Sequence, residues 1–288
     1  EGRARRRRPH AFGGGRGPAE MSAVRLAVAG AGGRMGRALL EAGSADPATA
    51  IAAALDVAGS PFAGHDAGEL AAGAKGVAVG TDPAVAFAAA DVLIDFTRPP
   101  GTLAHLAAGV AAGKPLVIGT TGFEPPQLAR IREAAGKVPV VFAPNFAIGV
   151  LVMMKLVDMA SRALGPAYDV EVFELHHKLK VDAPSGTALK LGEVAAAARG
   201  TSLAQDGVYA RHGVTGERKA GTLGFSVARG GDVIGDHTVF FLGTGERIEI
   251  THRSASRATY AQGAIRAAKW VVGKPPGLYD MEDVLGLR

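Results

Sequence analysis

Between residues 24 and 142, short apolar runs alternate with stretches of helical spacing, and this rhythm constrains the fold more than any other feature of the chain. The runs at 24–29, 51–55, 77–79, 92–96, 116–118 and 138–142 are too short for core helices and lack the polar alternation of a half-exposed strand. Between them, 35–42, 82–89, 102–112 and 126–135 carry helical periodicity, with Asp82-Pro83 and Pro125-Pro126 punctuating helix starts. Strands apolar on both faces, each followed by a helix, predict a parallel sheet covered on both sides. The Ala/Gly-rich stretch 58–76 reads as loop.

After Asn145 the rhythm changes. One long amphipathic helix is expected over 148–164, a strand over 169–175 and a helix over 187–198. Three strand-like runs follow at 223–229, 237–242 and 247–253, with only Gly230-Gly231-Asp232 and Gly243-Thr244-Gly245 turning the chain between them. Runs of strands without intervening helices predict a second, α+β domain with a mostly antiparallel sheet. The stretch 259–272 reads as a helix that returns to the first domain.

Charge narrows the possible partners. The formal net charge is +5, but six arginines lie within residues 1–20, so the remainder of the chain is close to neutral. That basic extension has no apolar core for a secretory signal and an Arg/Gly/Pro composition that predicts disorder. It reads as an extension ahead of a natural start at Met21, expected to be dispensable for activity, with a nucleic-acid-binding arm as the alternative. No apolar run is long enough for a membrane span, and the chain has no cysteine, so no disulfide framework or thiolate metal site is expected. A soluble protein of the reducing cytoplasm is the expectation, with neither membrane nor nucleic acid as partner.

The first apolar run turns into the first helix through Gly30, Ala31, Gly32, Gly33, Arg34, Met35 and Gly36. Glycines there let a phosphate approach the backbone, and a helix N-terminus offers free N–H groups and positive dipole. The spacing departs from strict G-x-G-x-x-G because Met35 holds the last glycine's place, and a tight turn without ligand is the alternative. Asp56 ends the second run where an acid hydrogen-bonds a ribose hydroxyl, or is simply a solvated strand-end carboxylate. Val57 follows it with no charge to meet a 2′-phosphate, so NADH is the expected hydride carrier, with NADPH possible through Arg34. The loops 96–99 and 119–122 end two further runs, which makes Gly119, Thr120 and Thr121 candidates for the nicotinamide side of the crevice. The expected architecture is therefore an α/β Rossmann-like dinucleotide-binding domain, at 21–147 and 258–288, plus a substrate domain at 148–257.

Polar chemistry concentrates in 174–187, ELHHKLKVDAPSGT. His176 ends a strand, and Ser185-Gly186-Thr187 opens a helix, offering hydroxyls and backbone N–H groups to a carboxylate. Lys180 adds a point charge for the same anion, and histidine exchanges protons near neutral pH. That set suits an anionic substrate that must be protonated after a hydride arrives. His176 and His177 lack a third ligand of matching spacing, so no metal is expected. Ser185 reads as an N-cap as well as a ligand; Lys178 and Asp182 read as structural, Lys155, Lys190 and Lys269 as surface charges, and Trp270 as packing.

The stretches VAGAGGRMGRAL, DFTRPPGT, GTTGF, APNFAIGV and, above all, ELHHKLKVDAPSGTA resemble the 4-hydroxy-tetrahydrodipicolinate (dihydrodipicolinate) reductase family, from about Val24 to the terminal MEDV. The resemblance implies NAD(P)H-dependent reduction of a cyclic dicarboxylate in lysine and diaminopimelate synthesis, and a homotetramer built through sheets of the second domain, which makes it the oligomerisation domain. It implies His176 as proton donor and Lys180 as second catalytic residue, with His177, Gly186 and Thr187 on the substrate carboxylates and Ser185 beside them. Gly30 through Met35, Asp56, Gly119, Thr120, Thr121, Ala143, Pro144, Asn145 and Phe146 match its cofactor contacts. Family members that bind NADPH well often carry arginine where Val57 stands. Hinges are expected near 147–150 and 253–259. A different amino-acid dehydrogenase shares the first domain but not the 176–187 stretch, and a non-catalytic NAD-binding protein keeps the glycine loop alone.

Overall fold

The computed structural model describes residues 22–256 and 258–288. The basic extension 1–20 lies outside the described residues, as does Arg257 within the second expected hinge.

The first half runs β1 (Val24–Ala29), α1 (Arg34–Ala45), β2 (Thr49–Leu55), β3 (Val79–Gly80), α2 (Pro83–Ala89), β4 (Val92–Asp95), α3 (Pro99–Ala112), β5 (Leu116–Ile118), α4 (Pro125–Ala135) and β6 (Pro139–Phe142). The second half continues α5 (Ile148–Leu164), β7 (Asp169–His176), α6 (Gly186–Ala198), α7 (Leu203–Asp206), β8 (Gly207–Val208), β9 (Leu223–Arg229), β10 (Gly235–Leu242), β11 (Arg247–Ser254), α8 (Ala258–Val271), β12 (Gly277–Tyr279) and α9 (Met281–Leu285).

The first sheet has seven strands in the order β12-β6-β5-β4-β1-β2-β3, every pair parallel. Period-two alternation splits β1 between two cores: Leu26 and Val28 pack with Leu39, Leu40, Ala264 and Ile265 of α1 and α8, while Ala27 and Ala29 face Phe87, Leu106 and Ile131 of α2, α3 and α4. Both faces are therefore dry, which explains strands without polar alternation. The order reverses between β1 and β4, and this places the glycine turn at the crevice where open α/β sheets take ligands. The strand β12 and the helix α9 were not foreseen; three residues carry no periodicity of their own.

The second sheet, in the order β11-β10-β7-β9-β8, is mixed rather than mostly antiparallel. Strand β10 pairs antiparallel with β7 and β11, whereas β9 pairs parallel with both β7 and β8. The turn at 230–234 reads as a hairpin in sequence, yet it strides over the end of β7 and sets β9 and β10 on opposite sides of that strand. Backbone bonds from Gly230 N to His176 O (2.9 Å) and from His177 N to Val233 O (2.7 Å) fasten the turn there. Helices α5 and α6 cover one face, with Met153, Val157 and Leu191 packed on Val170, Val172, Phe225 and Phe241.

Candidate active site

Strand β7 alternates between half-buried and buried positions, and Val170, Val172, Glu174 and His176 share the buried side. The first two fill the core beneath α6. The last two emerge at the strand end, beside the start of that helix. Ser185 is the N-cap: its Oγ accepts from Ala188 N (3.2 Å), so the amides of Gly186 and Thr187 are the uncommitted donors of the first turn. A cavity of about 740 Å³ opens here, lined by His176, His177, Lys180, Ser185, Gly186 and Thr187. All six sequence-chosen chemical residues thus meet in one space, and Ala143, Pro144 and Asn145 form part of its opposite wall.

Within that space the groups are already committed in specific ways. Lys180 Nζ donates to both carboxylate oxygens of Asp182, at 2.7 and 2.9 Å. His176 Nδ1 is hydrogen-bonded to Glu174 Oε2, and its ring meets the His237 ring edge-on at 5.0 Å. Ser185 Oγ also meets His237 Nε2 at 3.1 Å, so this hydroxyl is held within the protein. Burial, with His176 nearby, pushes the His237 imidazole down to about 4. Glu174 is fully buried and bound by both Arg229 amino groups at 2.8 Å; although burial favours its neutral form, Arg229, His176 and the Ser185 amide together hold it below the usual glutamate range.

The residues expected to hold a dinucleotide lie at the crevice of the first sheet. Gly30 adopts φ +70°, and a side chain on Gly36 would collide with the Gly30 carbonyl, so both must be glycine for the turn to close. Helix α1 has Gly33 as N-cap and no side-chain cap, which leaves its first-turn amides free for a phosphate. Asp56 accepts from Gly32 N (3.1 Å), Val57 N (2.8 Å) and Ser60 Oγ (3.0 Å), while Val57 is 70% exposed. Arg34 is exposed and Met35 packs on the core. Arg37, not singled out in the sequence, sits over the Phe62 ring at 5.2 Å and donates to Gly32 O. A glycine-built turn, an uncapped helix start and a strand-end acid together fit a dinucleotide.

Two of the sequence-chosen loops owe their shape to one buried acid. Asp95 accepts from Thr97 N (2.8 Å), Thr97 Oγ1 (2.7 Å) and Thr120 Oγ1 (3.2 Å), and meets His105 Nδ1 at 2.7 Å. Burial favours the neutral acid, but His105 and Thr97 hold it below the usual aspartate range. The Thr120 side chain is therefore spent inside this network, whereas Thr121 is exposed, and Phe96 occupies the space beside Gly119. Phe146 is likewise core, tilted against Phe96 at 5.2 Å, so its side chain is not at the cavity surface.

Sequence reasoning gave no role to Glu174, Arg229 or His237. The one available signal was Glu174 itself, an acid at an inward position of an apolar alternation two residues before His176. Lys190 is exposed, as a surface charge should be, and pairs with Glu193 at 3.0 Å, but its side chain also lines the cavity. Tyr260 and the 280–282 segment complete the far wall. Among the described residues, no group of three His, Asp or Glu is placed to hold a metal ion.

Comparison with known proteins gives a consistent picture. Residues 24–146 match the family model for the N-terminus of dihydrodipicolinate reductase, and residues 149–285 match that for its C-terminus. The 4-hydroxy-tetrahydrodipicolinate reductase of Aromatoleum aromaticum is 57% identical over 268 residues, 93% of this chain and 97% of that protein. That of Burkholderia pseudomallei is 56% identical over 93% of this chain and all of its own length. Among solved structures, the dipicolinate-bound dihydrodipicolinate reductase from Paenisporosarcina sp. TG-14 superimposes with a TM-score of 0.70 at 26% identity, covering 90% of this chain and 97% of that one. GenD2 of gentamicin biosynthesis, solved with NAD, shares the fold alone, with a TM-score of 0.55 at 17% identity over 95% and 93% of the two chains.

Proposed function

The chain belongs to the dihydrodipicolinate reductase family, and from that premise we propose how its residues divide the work. It is an oxidoreductase that reduces 4-hydroxy-tetrahydrodipicolinate with NAD(P)H, a step of lysine and diaminopimelate synthesis. The bound dinucleotide supplies the hydride. The α1 amides, with Gly30, Ala31, Gly32, Gly33, Arg34 and Met35, would hold its pyrophosphate, and Asp56 its ribose hydroxyls. The backbone of Gly119, Thr120 and Thr121 and the 143–146 loop would hold its nicotinamide side.

The substrate is a small dicarboxylate, and dipicolinate in the Paenisporosarcina enzyme is a compound of that class. The amides of Gly186 and Thr187 grip one carboxylate, helped by His177, and Lys180 exchanges Asp182 for the other. Ser185 works by capping α6 and holding its first turn in place. Hydride addition leaves an electron pair on the ring, and His176 supplies the proton that quenches it, worth roughly 10²–10⁴-fold in rate. Closure about 147–150 and 253–259 brings the two domains, 21–147 with 258–288 and 148–257, onto one substrate. Phe173 and Phe240, half-buried on the sheet face opposite α5 and α6, support assembly into a homotetramer through that sheet.

The observation that carries this reading is the single cavity in which His176, His177, Lys180, Gly186 and Thr187 converge. His176→Gln is expected to lower kcat at least about tenfold with little change in NADH affinity, and unchanged turnover removes His176 from the role. The exposed, uncharged Val57 beside Asp56 favours NADH over NADPH. Comparing kcat/KM for the two carriers tests this, and Val57→Arg should raise the NADPH value.

A further inference from the structure

We propose that Glu174 is the positioning residue for proton transfer: braced by Arg229, it fixes His176 as the Nδ1–H tautomer and leaves Nε2 as the nitrogen that delivers the proton. This rests on the reading of His176 as proton donor and deepens it. A carboxylate with no exposure is costly unless paired and fully hydrogen-bonded. Glu174 meets both conditions. Its Oε1 accepts from Arg229 Nη2 (2.8 Å) and Ser185 N (3.0 Å), and its Oε2 from Arg229 Nη1 (2.8 Å). The His176 Nδ1 contact shares Oε2. An ionised carboxylate has no proton to give, so in that contact Nδ1 must be the donor. The tautomer follows from charge, not from an assumed hydrogen.

The rest of the ring's surroundings agrees. Among the described residues no group hydrogen-bonds Nε2, and a side chain on Gly235 would press on that atom at 2.9 Å. The groups facing His176 are Glu174 on β7, Arg229 on β9 behind it, and His237 on β10, with Lys180 across the shared cavity. His237 is uncharged at neutral pH, so it adds no second cation beside the imidazolium. Arg229 Nη2 also donates to the Asp182 carbonyl at 2.7 Å, which ties the loop bearing Lys180 to the same pair. In the step itself the Nε2–H bond breaks, its electron pair stays on nitrogen, and a C–H bond forms with the pair that hydride addition left on the ring. Nδ1–H remains on Glu174 throughout, and solvent returns a proton to Nε2.

The test begins with the native enzyme. In ¹⁵N-histidine-labelled protein at high pH, the His176 signals, assigned by their loss in His176→Gln, should show a protonated Nδ1 and a bare Nε2. The opposite tautomer overturns the proposal, and this measurement stands even if no Glu174 variant folds. Glu174→Gln, checked for native circular dichroism, should lower kcat about tenfold or more with KM changed less than about threefold. In the His176→Gln background the same change should cost nothing further. A kcat loss that multiplies with that of His176→Gln would leave Glu174 a merely structural group and sink the proposal. Normal turnover in His176→Gln sinks the proton-donor reading instead, with the tautomer result unaffected.

Discussion

His237 shows how a single ring can tie stability to acidity. In the unfolded chain it takes a proton near 6.5, whereas in the fold it does so only at about 4, because it is buried beside His176. Between those values the unfolded state binds the extra proton, so stability is fully present above about pH 6.5 and drains as pH falls toward 4. The loss amounts to about 3 kcal/mol from this group alone. Urea titrations at pH 7 and pH 4.5 should show about 2 kcal/mol of that loss in the parent protein and a smaller drop in His237→Gln; equal drops would refute the assignment. At this scale the sequence disclosed which polar residues share the cavity and hid the groups that brace them. His176, Lys180, Gly186 and Thr187 stand together in one stretch, so chemistry could be read from adjacency. Glu174 and Arg229 are 55 positions apart and His237 lies 52 from Ser185, and nothing in the residues themselves says that folding will join them.

Among the elements, the start of α1 is the most exacting. Gly36 lies against the Gly30 carbonyl with no room for a methyl group. Gly36→Ala must push the first helical turn away from β1, a strain of about 1–3 kcal/mol, and it shifts the amides proposed to hold the pyrophosphate. Isothermal titration should show dinucleotide affinity falling at least about tenfold while substrate-side residues are untouched; undiminished affinity would place the phosphate elsewhere. The parallel sheet of the first half was legible because burial on both faces leaves an apolar signature in residues 26–29 of β1, 92–94 of β4 and 140–142 of β6. The second sheet was misjudged for a complementary reason. A glycine turn between two strands says that the chain reverses, but not whether a third strand, here β7, lies between them. Strands as short as β8 and β12 are defined by their neighbours and leave no periodic trace.

The whole molecule depends on its last residues more than their number suggests. Strand β12 pairs with β6 through Pro139, Val140 and Val141, and Met281 and Val284 are buried in the core shared with α1 and α8. Lys155 of α5 reaches Glu282 at 2.8 Å, so α9 touches the helix that opens the second half. Each buried aliphatic side chain contributes about 1.5–3 kcal/mol. Truncation after Gly273 should therefore lower unfolding free energy by at least about 3 kcal/mol and raise KM, since the 280–282 wall is lost. Unaltered stability and KM in the truncated chain would show those residues to be ornamental. The same closing strand carries a consequence for synthesis. A ribosome releases the glycine turn, His176 and the start of α6 long before it releases β12, yet the edge of the first sheet and one wall of the cavity wait for residues 277–282. A nascent chain that has emerged only as far as α8 thus holds the polar groups of the cavity while still lacking part of the enclosure around them.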